Sequence, residues 1–107
     1  MFSRLDAFLS KALSFETVAA SQTDQVIGTN GAKGDYLERL IIVPATLSPG
    51  AVSIEHGSTN IVLFAGGANS VTELKPIVVE IGMVSIDGAW EVTTGANVSV
   101  VAIGRFS

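Results

Sequence analysis

From residue 15 onward the chain consists of short runs rich in β-branched and aromatic residues, and turn residues close each run. Such runs are typical of β-strands, and the dipeptides Asn30-Gly31 and Asp87-Gly88 supply the positive φ angles that tight turns require. No helical periodicity separates the runs, which excludes alternating strand–helix units. The pattern predicts about eight strands, at 15–20, 36–43, 51–55, 60–64, 76–81, 83–86, 90–94 and 98–106.

These strands predict an all-β, antiparallel fold, either a jelly roll or another β-sandwich. The jelly roll is our first choice, because eight strands in two packed sheets fit a chain of 107 residues. An immunoglobulin-like sandwich and a small barrel are the alternatives. The length corresponds to one domain, which we place at residues 15–107 after an N-terminal arm at residues 1–14.

The arm has a pattern of its own. Leu5, Phe8, Leu9 and Leu13 recur at helical spacing, with charged and hydroxyl residues between them. A helix this short is marginal in water and must dock on another surface. That surface is either its own β-domain or a neighbouring subunit, and in the second case these four residues are the partner-binding anchors.

The composition bears on the surface of the domain. Charged residues make up 15% of the chain, against about 25% in typical globular proteins. A surface rich in small uncharged residues would account for this, and so would a surface that a partner covers. We favour the partner, because a domain this poor in charge has little polar material with which to cover its exterior.

Several classes of function are excluded by what the sequence lacks. The six basic residues are scattered, so we expect no nucleic-acid binding. No apolar run reaches the about 18 residues of a membrane span, and the N-terminus does not have the apolar core of a signal peptide. The chain has no cysteine and therefore no disulfide or thiolate site. We expect synthesis in the cytoplasm.

Catalytic and ligand sites are not evident either. His56 is the only histidine, and its glycine- and serine-containing flank is typical of a solvated turn. The ten acids are spread singly along the chain, as on a solvated exterior. Trp90 and Tyr36 are candidates for stacking on a sugar ring, although the alternation around Trp90 favours a core position. We expect no catalysis, no metal ion and no cofactor.

Two segments carry a resemblance to a known family: VIGTNGAKGDYLERLIIVPATLSPGAVS at 26–53 and GAWEVTTGANVSVVAIGRF at 88–106. Their short strands and Gly/Asn/Thr turns resemble small structural proteins of tailed phages, and most closely capsid decoration (cement) proteins. The resemblance implies a virion protein, made in the host cytoplasm, that binds the major capsid protein and copies of itself as a dimer or trimer. The alternative is a tail or surface module that recognises a glycan or receptor.

Overall fold

A computed structural model describes residues 13–107, and every regular element in that range is a β-strand. The strands are β1 (Ser14–Val18), β2 (Gln25–Val26), β3 (Tyr36–Pro44), β4 (Val52–His56), β5 (Thr59–Phe64), β6 (Ile77–Val84), β7 (Trp90–Thr94) and β8 (Val98–Arg105). All strand pairs are antiparallel and form two four-stranded sheets. The predicted all-β, antiparallel sandwich is thereby confirmed. No helix suited to crossing a membrane occurs between residues 13 and 107.

Two strands differ from the sequence-based prediction. β2 was not predicted, because only two residues of a polar, glycine-rich segment pair with β7. The segments predicted as 76–81 and 83–86 form the single strand β6, which continues through Gly82. Gly82 has a φ of 65°, and the pairing of β6 with β3 shifts by one residue beside it. The glycine therefore marks a bulge and not the end of a strand.

The order of the strands is nested. The first sheet has the order β1-β8-β3-β6 and the second has β2-β7-β4-β5. The chain thus pairs its first strand with its last, its second with its seventh, its third with its sixth and its fourth with its fifth. This nesting results when one long antiparallel hairpin is folded over and its strand pairs are divided between two sheets.

The core lies between the sheets because alternate residues of each strand point inward. In β8 every second residue from Val98 to Gly104 is buried. Trp90 of β7 is only 2% exposed, and its Nε1 donates a hydrogen bond to the carbonyl oxygen of Asp35 at 3.1 Å. The predicted core position of Trp90 is confirmed. The buried cluster comprises Val18, Ile27, Leu37, Leu40, Ile42, Val52, Ile54, Trp90, Val92, Val98, Val100 and Ala102.

Candidate functional site: the outer face of the first sheet

The outward positions of the first sheet form rows across its four strands. Thr17, Val101, Ile41 and Val78 lie side by side in one row. In the next row Phe15 and Ile103 lie beside Arg39 and Glu80. On the other side of the first row, Val43 is the next outward residue of β3 after Ile41. We call the six apolar members of these rows the apolar face: Phe15, Ile41, Val43, Val78, Val101 and Ile103.

The apolar face is unusual because it lies on the side of the sheet that faces away from the core. An antiparallel sheet that is solvated on one side normally alternates apolar residues inward with polar residues outward. Here Phe15 and Val78 are 68% and 57% exposed, and the other four members are half-buried. With strands about 4.8 Å apart and about six residues rising about 3.3 Å each, the outer face measures about 400 Å². This area includes the hydroxyl and charged residues of the face, and it is comparable to the largest apolar patches that a typical monomer exposes.

The charged groups on the same face balance one another. The Nε of Arg39 donates to both carboxylate oxygens of Glu80, at 3.1 and 2.9 Å, and its Nη2 donates to Glu38 at 2.8 Å. Beside them the Arg105 guanidinium lies 5.3 Å from the centre of the Tyr36 ring. Two arginines and two glutamates leave the face with no net charge.

The outer face of the second sheet carries an acidic cluster at its centre, although Val62 of β5 is exposed on the same face. Glu55 and Glu91 are directly opposite each other on β4 and β7, and Asp24 lies beside them. One carboxylate oxygen of each lies within 4.8 Å of the others. The pKa of Glu91 is raised above its ordinary value by burial, then by the charges of Asp24 and Glu55. Like charges directly opposite destabilise a strand pair, so this cluster weakens the fold near neutral pH.

The acidic cluster could not be predicted from the sequence, because its members are far apart along the chain and only strand pairing joins them. The expectation of singly spread acids was therefore wrong at these three positions. The three residues of the cluster offer carboxylate oxygens, which are the ligand type that Ca²⁺ prefers. The Thr93 hydroxyl donates a hydrogen bond to Asp24 at 3.1 Å and thereby occupies part of that carboxylate.

His56 is not the solvated turn residue that its flanking sequence suggested. It is the last residue of β4, pairs with Trp90, and its ring lies 4.8 Å from the Trp90 ring, centre to centre. Its Nε2 accepts a hydrogen bond from the backbone N–H of Ile86 at 2.9 Å. His56 therefore fastens the β6–β7 loop to the second sheet, and this structural role accounts for its placement.

A cleft of about 820 Å³ lies at the end of the first sheet where β1 begins. Tyr36 forms part of its wall, and the Tyr36 hydroxyl donates a hydrogen bond to Glu38. This bond is the main reason that the pKa of Tyr36 is raised. Asp35 and Ser107 also line the cleft. The Oδ2 of Asp35 accepts hydrogen bonds from the backbone N–H and the hydroxyl of Ser107, each at 3.1 Å. Trp90 lies in the core, so the two predicted stacking residues do not form one platform.

The predicted partner-binding residues fall in two groups. Leu13 is 39% exposed and lines the same cleft, immediately before β1. Leu5, Phe8 and Leu9 lie outside the described residues. Chain segment 1–12 therefore joins the domain at an edge strand of the sheet that carries the apolar face.

Comparison with known proteins finds no matching family model, no matching curated protein and no matching solved structure. The function must therefore be inferred from the surfaces themselves. Among the surfaces described, the apolar face brings six apolar side chains together, and the hydrophobic effect favours their removal from water.

Proposed function

We propose that this chain is a structural subunit of a virion, a decoration protein that adds to a tailed-phage capsid and stabilises its lattice by protein–protein contacts. The observation that carries this proposal is the apolar face, a solvent-facing sheet surface made of β-branched and aromatic side chains. Such a surface is typical of an interaction site. The activity requires neither catalysis nor a cofactor, and the protein would be made in the host cytoplasm and function in the virion.

The strand order supports the proposal. A nested order of eight strands in two sheets is that of a jelly roll, an architecture used by viral capsid and lectin domains. We therefore propose the jelly-roll form of the sandwich. Fold by itself does not determine function, so the apolar face remains the main support for the proposal.

The energetics of such a surface suit repeated attachment. Burying the face contributes at most roughly 10 kcal/mol, the value for about 400 Å² of wholly apolar surface at about 25 cal/mol per Å², while association costs about 4–15 kcal/mol. A single contact is therefore weak. On a lattice that presents many identical sites to an oligomer, weak contacts combine into high avidity.

The N-terminal segment supplies additional contact area in this proposal. Leu13 is exposed at the start of β1, so the preceding twelve residues leave from the first sheet. We propose that Leu5, Phe8, Leu9 and Leu13 are anchors that bind the major capsid protein or another copy of the chain. The spacing of these residues in the sequence is what predicts a shared apolar side for them.

The experiment that tests the function is co-sedimentation with assembled tailed-phage heads from which accessory proteins have been stripped. We expect the wild-type chain to sediment with the heads and Ile103→Glu to remain in the supernatant. Val62→Glu is the matched control, because Val62 is 58% exposed and faces outward on the second sheet. If the wild-type chain never sediments with the heads, the proposed function is wrong.

A second candidate function is recognition of a glycan by the cleft beside β1. Its support is the juxtaposition of Tyr36, Glu38 and Arg105, an aromatic ring and charged groups of the kind that bind sugars. Glycan-array binding that is lost in Tyr36→Leu and kept in Val62→Leu would favour it. Trp90→Ala is unsuitable for this test because Trp90 belongs to the core.

A further inference from the structure

We propose that Asn30 is a site of spontaneous modification, at which the side-chain amide is lost as ammonia and a new carboxylate forms. Asn30 precedes Gly31 and is exposed in the loop between β2 and β3. The reaction needs water and no capsid, so it goes beyond the proposed function. Asparagine is among the thermally labile residues of proteins, and the surroundings of the four asparagines in this chain single out Asn30.

The reaction joins two atoms of neighbouring residues. The backbone nitrogen of Gly31 attacks the side-chain carbonyl carbon of Asn30, loses its proton, and displaces the side-chain nitrogen as ammonia. The product is a cyclic imide (a succinimide) that includes the nitrogen of the former peptide bond. Water then opens the ring at either carbonyl carbon and leaves an aspartate or an isoaspartate. One water is consumed and one ammonia is released, with no oxidant or reductant.

The turn at residues 29–32 lets the attacking nitrogen approach. The backbone N–H of Ala32 donates a hydrogen bond to the carbonyl oxygen of Thr29 at 3.0 Å, and Gly31 has a φ of 78°. The bond and the angle are those of a type II turn, in which the Asn30–Gly31 peptide is the central one. Because glycine adopts either sign of φ, this peptide can rotate while the closing bond is kept. The rotation moves the nitrogen of Gly31 toward the side-chain carbon of Asn30.

Nothing between residues 13 and 107 obstructs this rotation. A Cβ atom at Gly31 would meet no atom within 4 Å apart from its chain neighbours, and the Gly31 N–H donates no hydrogen bond in that range. The loop is fixed on either side of the turn, since the N–H of Thr29 donates to the Ser107 hydroxyl at 3.2 Å and that of Gly34 to the carbonyl oxygen of Ser85 at 2.8 Å. The modification therefore stays within a surface turn and leaves the core unchanged.

The other three asparagines lack this freedom. Asn60 and Asn97 each precede a β-branched residue that strand pairing holds in β5 or β8. Asn69 precedes Ser70, whose N–H donates a hydrogen bond to the carbonyl oxygen of Gly67 at 3.2 Å. A side chain on the following residue also crowds the attacking nitrogen, and β-branched side chains are the stiffest. Of the four, only Asn30 is followed by a nitrogen that is neither paired nor crowded.

The test incubates the full-length chain in warm, mildly alkaline buffer, which favours loss of the proton from the attacking nitrogen. Isoelectric focusing follows the gain of negative charge from the initial net charge of −4, and peptide mass spectrometry locates it. We expect Asn30 to be converted at least about tenfold faster than Asn69, because the hydrogen bond of the Ser70 nitrogen must first be broken. The ammonia released should equal the charge gained.

Matched variants separate Asn30 from the other amides. Asn30→Gln should abolish the fast gain of charge, because the ring that a glutamine forms is one atom larger and closes more slowly. Asn69→Gln is the same change in another exposed loop and should leave the rate unchanged. Asn30→Asp carries the charge of the product from the start and should focus with the converted wild type. Circular dichroism shows that each variant is folded.

Conversion in denaturant tests the part played by the fold. Unfolding removes the obstacles at Asn60, Asn69 and Asn97, so their rates should rise, whereas the rate at Asn30 should stay nearly the same. If the rate at Asn30 rises as much as that at Asn69, the folded turn shields Asn30 and the proposal is overturned. A native chain that gains no charge, a gain located at another asparagine, or a gain that persists in Asn30→Gln would overturn it equally.

Discussion

The outer faces of the two sheets occupy equivalent positions in the fold and differ in chemistry. Val101 and Ile41 are neighbours on the first sheet, and Glu91 and Glu55 are neighbours on the second. Both pairs are outward residues of central strands. Removal from water lowers the free energy of the first, apolar pair. Exposure to water and salt screens the repulsion between the two carboxylates of the second pair. This difference is the reason that the proposed protein contact is assigned to the first sheet.

The largest expected effect is on the free energy of unfolding, when a side chain is removed from the core that holds the two sheets together. Trp90→Ala deletes the largest fully buried side chain and the hydrogen bond to the Asp35 carbonyl oxygen. We expect a loss of about 3–5 kcal/mol in the free energy of unfolding, measured by chemical denaturation. A loss below about 1 kcal/mol would mean that the sheets are held together mainly elsewhere.

Removing the N-terminal segment tests whether it acts on the side of the apolar face. Deletion of residues 1–12 leaves β1 intact, because that strand begins at Ser14. We expect binding to phage heads to weaken at least about 100-fold, since burial of even one large apolar anchor contributes about 1.5–3 kcal/mol. The thermal unfolding midpoint of the β-domain should be retained. Unchanged binding would show that Leu5, Phe8 and Leu9 are not anchors.

A more conservative change sharpens the comparison between the faces. Val101→Thr keeps the shape of the side chain and adds one hydroxyl to the centre of the apolar face. We expect binding to phage heads to weaken about tenfold, because the hydroxyl would be buried in the proposed contact without a partner. Val62→Thr on the second sheet should leave the association constant unchanged. Equal effects at the two positions, measured by sedimentation, would contradict the assignment of the interface to the first sheet.

The smallest effect concerns the acidic cluster. The folded state raises the pKa of Glu91, so it binds more protons than the unfolded chain between the ordinary and the raised pKa. Stability therefore falls as pH rises through that window. Glu91→Gln should raise the free energy of unfolding by about 0.5 kcal/mol near neutral pH. The gain should vanish below about pH 4, where the glutamate is protonated in both states. Denaturation at the two pH values measures it, and a gain that is independent of pH would exclude charge repulsion as the cause.

The strands that could be predicted from sequence are those with a strong local signal. β3, β7 and β8 lie almost where alternation and β-branched residues place them, because inward and outward positions alternate with a period of two. β2 escaped prediction because its two residues have no pattern of their own. β6 was divided at Gly82, since a glycine inside a strand has the same local signature as a turn.

The candidate surfaces also combine features that have a local signal in the sequence with features that have none. The apolar residues of the first sheet's outer face are visible in the sequence as apolar runs such as Leu40 to Val43, but their arrangement into one face is not. That arrangement depends on β1, β8, β3 and β6 lying side by side, although β1 and β8 are at opposite ends of the described chain. The acidic cluster likewise joins residues 24, 55 and 91.

The sequence by itself therefore determined the class of fold and the turns, because backbone preferences and the alternation of side chains act over a few residues. Only the tertiary structure decided the order of the strands, the apolar face, the acidic cluster and the role of His56. These depend on pairing between distant segments, whose register follows from the packing of the whole core and has no local signal.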